Sequence, residues 1–181
     1  RDFYAAKTVS DGKSRYLVGW QSIRKDCKND GQYVWGGNVI VHELIQRENG
    51  ELGVKLPDTI RQEFKIPLTH NIVPKCGKWD IGREISPMKN VCMIKAVLRW
   101  TKETQAVGIM FHIDGARMEQ WCQLRLEISH NKIVFERSGK TEKDQFFDEE
   151  RPIHFRMEQY AEITLLTSND IVVVYVDDVA L

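Results

Sequence analysis

The sequence predicts an all-β protein with an antiparallel β-sandwich at its C-terminal end. Three observations carry that prediction. Apolar residues alternate with period two along most of the 181 residues, as they do where one face of a strand is buried. In the C-terminal half, turn signals interrupt this alternation roughly every 8–12 residues, the spacing of a sandwich or barrel. Asn49-Gly50 stands between two alternating runs. It is a strong hairpin signal, because both central residues of a type I′ turn need positive φ.

RDFYAAKT (Arg1–Thr8) already reads as strand, and the turn SDGKS separates it from the strand RYLVGWQS, Arg15–Ser22. GNVIVHELIQ (Gly37–Gln46) runs through RENGE into a strand over Glu51–Leu56. PDTIRQEF then offers one helical turn and closes a first unit. Residues 65–87 hold Pro67, Pro74, Pro87, Gly77 and Gly82 and read as a connector, with one short strand at Trp79–Ile81. After it the rhythm is regular: Val91–Trp100, Ala106–Ile113, Gln120–Ile128 and Lys132–Ser138. A charged loop, GKTEKDQFFDEERP, leads into IHFRME, and the hairpin AEITLLT–SND–IVVVYVDD ends the series. IVVVYV is apolar on both faces and is expected to be a central strand. Residues 1–64 thus give four strands with no evident way of closing their own core. Residues 88–181 give seven, enough for two layers.

Composition excludes several classes. Lys plus Arg and Asp plus Glu balance at 26 each, with a pI near 7.1, so nothing draws the chain to nucleic acid or to an anionic membrane surface. No apolar run approaches the ~20 residues of a membrane helix. No signal-peptide core is visible, so a targeting segment is expected to be absent or already removed. Cys27, Cys76, Cys92 and Cys122 show no CxxC spacing. They read as thiols, which favours a reducing, cytoplasmic compartment over secretion without fixing the localisation.

Signals for chemistry are sparse. His42, His70, His112, His130 and His154 show no i, i+2 or i, i+4 pair, and His42-Glu43 lacks the second His of a zinc helix, so no metal site is expected. No phosphate loop, dinucleotide fingerprint or nucleophile elbow occurs, and no cofactor is expected. Gly36-Gly37 reads as a bulge or a close backbone approach. The pairs Glu149-Glu150 and Asp177-Asp178 lie in turn contexts and are expected to face solvent. Glycosidase chemistry instead needs two carboxyls converging from separate elements. Of the tryptophans, Trp20, Trp100 and Trp121 alternate with apolar neighbours and are read as core. Trp35 has a looser context and suits a pocket wall. Trp79 suits either a sheet cap or a ligand face. Trp79 and Trp121 are also candidates for stacking on a sugar ring.

Read together, these segments form a pattern. Asp2-Phe3-Tyr4-Ala5, then Gly19-Trp20, then Trp35-Gly36-Gly37, Glu43-Leu44 and Gly50-Glu51-Leu52 with Pro57 resemble the later part of glycoside hydrolase family 32, the β-fructosidases. That family carries DFYA, a strand ending GW, W-x-G leading into PREL, and G-x-L…P in this order. FERSG (Phe135–Gly139) and ITLLTSNDIVVVYVDDVAL are similar to its C-terminal sandwich strands. The resemblance spans nearly the whole chain. Departures include His42 where the family motif has Arg, and Val173 where a sandwich strand has an acid. The family's N-D-P-N-G nucleophile, R-D-P and E-C acid/base motifs do not occur; Arg1-Asp2 is followed by Phe3.

The resemblance implies an all-β fold in which the last blade of a five-bladed propeller (1–64) precedes a connector (65–87) and a β-sandwich (88–181). It implies a parent protein acting on β-fructofuranosides such as sucrose, levan or inulin, with no catalytic residue in this chain. Asp2, Tyr4, Trp20 and Trp35 would be neighbours of the fructosyl pocket. The expected partners are the fructoside, the missing propeller domain and a second copy in a homodimer. Two other readings stay open: a stand-alone carbohydrate-binding module using Trp35, Trp79 or Trp121, and a structural or dimerising sandwich without a ligand.

Overall fold

The computed structural model describes residues 3–25, 32–65, 91–114, 120–138, 149–168 and 171–181. Among them, twelve strands form three four-stranded antiparallel sheets.

The first sheet is a meander of β1 (Phe3–Ser10), β2 (Arg15–Arg24), β3 (Tyr33–Gln46) and β4 (Leu52–Lys55), in sequence order. This is the form of a single propeller blade. The predicted β3–β4 hairpin is present, but its turn differs from type I′. Gly50 has φ +87° while Asn49 keeps a negative φ. The Gly50 N–H donates to the Arg47 carbonyl at 2.9 Å and the Glu51 N–H to Asn49 Oδ1 at 3.1 Å. Five residues, Arg47–Glu51, make the connection, so only the glycine needs the left-handed region. β3 also begins earlier than the alternation indicates. Gln21 pairs with Asn38 and Ile23 with Val34, so Trp35-Gly36-Gly37 bulges opposite Ser22. A Cβ on Gly37 would stand 1.9 Å from the Gln21 carbonyl oxygen, which is the close backbone approach expected there. The helical turn after Pro57 is α1, Asp58–Arg61.

The second sheet has the order β12-β11-β10-β5 and the third β6-β7-β8-β9. Their strands are β5 (Val91–Arg99), β6 (Ala106–Asp114), β7 (Gln120–Glu127), β8 (Lys132–Arg137), β9 (Glu149–Pro152), β10 (Tyr160–Ser168), β11 (Ile171–Val176) and β12 (Val179–Ala180). One strand is displaced from its expected place. IHFRME is irregular, and the strand is the charged EERP just before it, paired through Glu150 to Val134. An edge strand tolerates charges that a central strand cannot bury. The two sheets face each other as a sandwich. Leu124, Leu126 and Ile133 from the third meet Ala161, Ile163, Leu165, Val174 and Val176 from the second, all buried. Fully burying each of the Leu, Ile and Val side chains is worth about 1.5–3 kcal/mol. Trp100 joins this core, with its ring edge-on to Phe155 at 5.4 Å.

β11 is central, as its sequence predicts. Val172, Val174 and Val176 point into the sandwich core. Ile171, Val173 and Tyr175 point the other way, into a second cluster with Leu56, Ile40 and Val54 of the first unit. The second sheet is therefore the middle of three layers, and the blade closes its inner face on the back of the sandwich.

Candidate functional site

Two surfaces of the blade carry the candidate residues. On the outer face, away from the sandwich, Tyr4, Trp20 and Val39 lie side by side across three strands. The Tyr4 and Trp20 rings meet edge to face at 5.7 Å. Tyr4 is 59% exposed and Val39 69%, whereas Trp20 is half-buried. Val9, next to Tyr16 along the same face, is also exposed. The cross-strand register thus assembles an aromatic and aliphatic patch of the kind that marks a binding or docking surface.

Of the residues singled out from sequence, Tyr4 and Trp20 are brought together here. Trp35 falls on the β3 bulge, but its side chain is outside the described structure, and Asp2 and Trp79 lie outside the described residues. Trp121 is on β7 in the third sheet, half-buried, with its backbone N–H donating to Ser138 Oγ at 2.7 Å. The core expectation holds for Trp100 only. Trp20 and Trp121 belong to neither buried cluster, because they occupy the alternate faces of β2 and β7.

The inner face forms the seam with the sandwich. His42, on β3, is 7% exposed, and its Nδ1 lies 2.8 Å from the Tyr175 hydroxyl on β11. The Phe3 ring stands edge-on to the imidazole at 5.1 Å. Burial alone pushes the His42 pKa below its ordinary value and the Tyr175 phenol above its own. A cavity of about 160 Å³ opens beside this pair, where Phe3, Gln21 and His42 of the blade face Val173, Glu149 and Arg151. Glu149 and Arg151 pair with each other at 3.5 Å.

The Asp177-Asp178 pair is not solvent-facing as expected. Asp178 takes the Arg47 guanidinium through both oxygens, and its carbonyl accepts from the Val54 N–H at 2.8 Å. Asp177, at φ +51°, turns the opposite way: Oδ1 accepts from the Glu162 N–H at 3.0 Å and pairs with Arg156 at 3.1 Å. Burial raises the Asp177 pKa. The two carboxylates diverge and fasten different neighbours, so they offer no converging acid and base. Among the described residues, no three His, Cys, Asp or Glu side chains gather as a metal site.

No family model matches the sequence, and no curated protein matches it. Solved structures do match, over 99% of the chain. The GH32 β-fructofuranosidase BmSUC1 of Bombyx mori superposes with a TM-score of 0.63 at 16% identity. Over that length the chain shares the fold of part of this structure. An exo-inulinase from Aspergillus awamori gives a TM-score of 0.65 at 13% identity. The β-fructofuranosidase of Schwanniomyces occidentalis, complexed with fructosyl-erythritol, gives 0.58 at 12%. The chain spans 35%, 37% and 40% of the lengths of these three structures. The part of these structures that the chain matches holds the same antiparallel sheets, among them a β-sandwich.

Proposed function

We propose that the chain is the C-terminal region of a GH32-type β-fructosidase and serves as the accessory support of its catalytic propeller. The observation that carries this reading is the extent of the match. Nearly the whole chain superposes on little more than a third of β-fructofuranosidase and exo-inulinase structures. Residues 1–64 are assigned to the propeller and 88–181 to the sandwich, joined by 65–87. The exposed patch of Tyr4, Trp20 and Val39 is where the preceding blade packs, and Asp2, Tyr4, Trp20 and Trp35 neighbour the fructosyl pocket. The whole protein hydrolyses β-fructofuranosides with retention, using a carboxylate nucleophile and a separate acid/base from its earlier blades. The 181-residue chain contributes no catalytic carboxylate.

The test has two parts. The coding sequence upstream of Arg1 is expected to encode N-D-P-N-G and E-C segments, and the protein that includes them to release fructose from sucrose, levan or inulin. The 181-residue chain by itself is expected to release none. An upstream sequence without those segments, or hydrolysis by the short chain, overturns the reading.

A further inference from the structure

The seam between blade and sandwich is closed by an ion pair, an apolar cluster and one buried hydrogen bond between titratable groups. We propose that this seam is a proton-sensitive joint, in which protonation of His42 loosens the blade from the sandwich while the sandwich core stays closed. The inference rests on the seam's geometry and does not depend on the fructosidase reading.

His42 sits where the two layers meet, 7% exposed, with Tyr175 Oη as its hydrogen-bond partner from the opposite sheet. From β1 it meets the Phe3 ring. From β2, Gln21 lines the same cavity and is neutral. From β11 come Val173 and Tyr175, and from β9 the charges Glu149 and Arg151, which already pair with each other. Among the described residues, no carboxylate pairs with the imidazole. When the neutral ring carries its proton on Nε2, Nδ1 accepts a hydrogen bond from the Tyr175 hydroxyl. Adding a proton there removes the acceptor and places a charge on a buried ring with which no described carboxylate pairs, which is costly.

The sign follows from linkage. His42 titrates near 6.5 when exposed and lower when the seam is closed. Below about pH 6.5 the open state binds more protons than the closed one, so closure weakens as pH falls and is fully present above that value. In the sandwich core the Leu124, Leu126, Ile133, Ile163 and Val176 side chains do not titrate, and burial moves the Cys122 thiol beside them upward, away from this pH range, so the core does not share this dependence.

Amide hydrogen exchange of the 181-residue chain at pH 7.5 and 5.0, corrected for intrinsic rates, tests the proposal. Protection of β2–β4 is expected to fall relative to that of β7 and β8 as the pH is lowered. His42→Gln is neutral at both pH values and is expected to abolish the difference, whereas Tyr175→Phe, which keeps the imidazole, is expected to retain it. An NMR titration of the His42 ring in the unmutated chain is expected to give a midpoint below 6.5. Equal loss of protection in all three sheets, an unchanged pH response in His42→Gln, or a midpoint at or above 6.5 overturns the proposal.

Discussion

Arg47, on the β3–β4 turn of the blade, grips both carboxylate oxygens of Asp178, on the β11–β12 turn of the sandwich, at 2.5 and 2.8 Å. The two residues are 131 positions apart in the chain. Both side chains are less than one-third exposed, at 29% and 27%, so solvent screens the pair only in part.

Removing Arg47 leaves the half-buried Asp178 without this partner, and removing Asp178 leaves Arg47 only its pair with Glu51 at 3.0 Å. Arg47→Ala or Asp178→Asn is expected to lower stability by about 1–3 kcal/mol in denaturant unfolding. Arg47→Lys is expected to restore less than half, because an ammonium cannot hold two oxygens in a planar fork. A double-mutant cycle with no coupling between the positions would remove the clamp from the account of the seam.

Burial separates the outer face of the blade from the sandwich core. Leu124→Ala and Ile163→Ala delete side chains at 0% and 1% exposure and are expected to cost about 2–5 kcal/mol each. Val39→Ala, at 69% exposure, is expected to cost less than about 0.5 kcal/mol in the same chain. If the proposed upstream blade is present and packed on it, the Val39 cost rises. Comparing Val39→Ala in the 181-residue chain and in the longer protein reads out whether that face is covered.

At the bulge, Gly37→Ala forces a methyl carbon against the Gln21 carbonyl. The backbone has to move, at a cost of about 1–3 kcal/mol. The damage is expected to be local, seen as faster amide exchange at Ile23 and Val34 with β10 and β11 unchanged. Uniform destabilisation of all three sheets would contradict a local origin.

Cys122 is half-buried on β7, and burial raises its thiol pKa above the ordinary 9.0. Its thiolate fraction is therefore small at neutral pH and begins to grow only at more alkaline pH than for an exposed thiol. Site-resolved alkylation at pH 8 is expected to label Cys122 slowly in the folded chain and rapidly after unfolding in denaturant. Rapid labelling of the folded protein would show that the strand opens.

Alternation discloses most of the fold, because most strands have one face on a core and one away from it, while β11, with a core on each face, shows itself by an unbroken apolar run. β9 escaped because Glu149, Glu150 and Arg151 carry no apolar rhythm, and only their pairing with β8 makes them a strand. The hairpin at Asn49-Gly50 was legible, but its turn type was not, since that depends on how many residues the β3–β4 register leaves over. The site was less legible than the fold. Tyr4 and Trp20 were singled out one by one, and only strand register sets them together. His42 reads as a lone histidine in a strand, because its partner Tyr175 is 133 positions away. Likewise, nothing local to Asp177-Asp178 shows that the two side chains serve different sheets.

A strand that serves as wall to two rooms also sets the order in which they can be finished. Ile171, Val173 and Tyr175 complete the inner face of a blade whose own strands end at Lys55. During synthesis from the N-terminus, that blade must wait for more than a hundred further residues before its inner face can close. Contacts of such long sequence separation slow folding and leave apolar surface open in the meantime. Trimming the last dozen residues would thus take Val172, Val174 and Val176 out of the sandwich core and, in the same cut, remove the surface that Ile40, Val54 and Leu56 lean on far earlier in the chain.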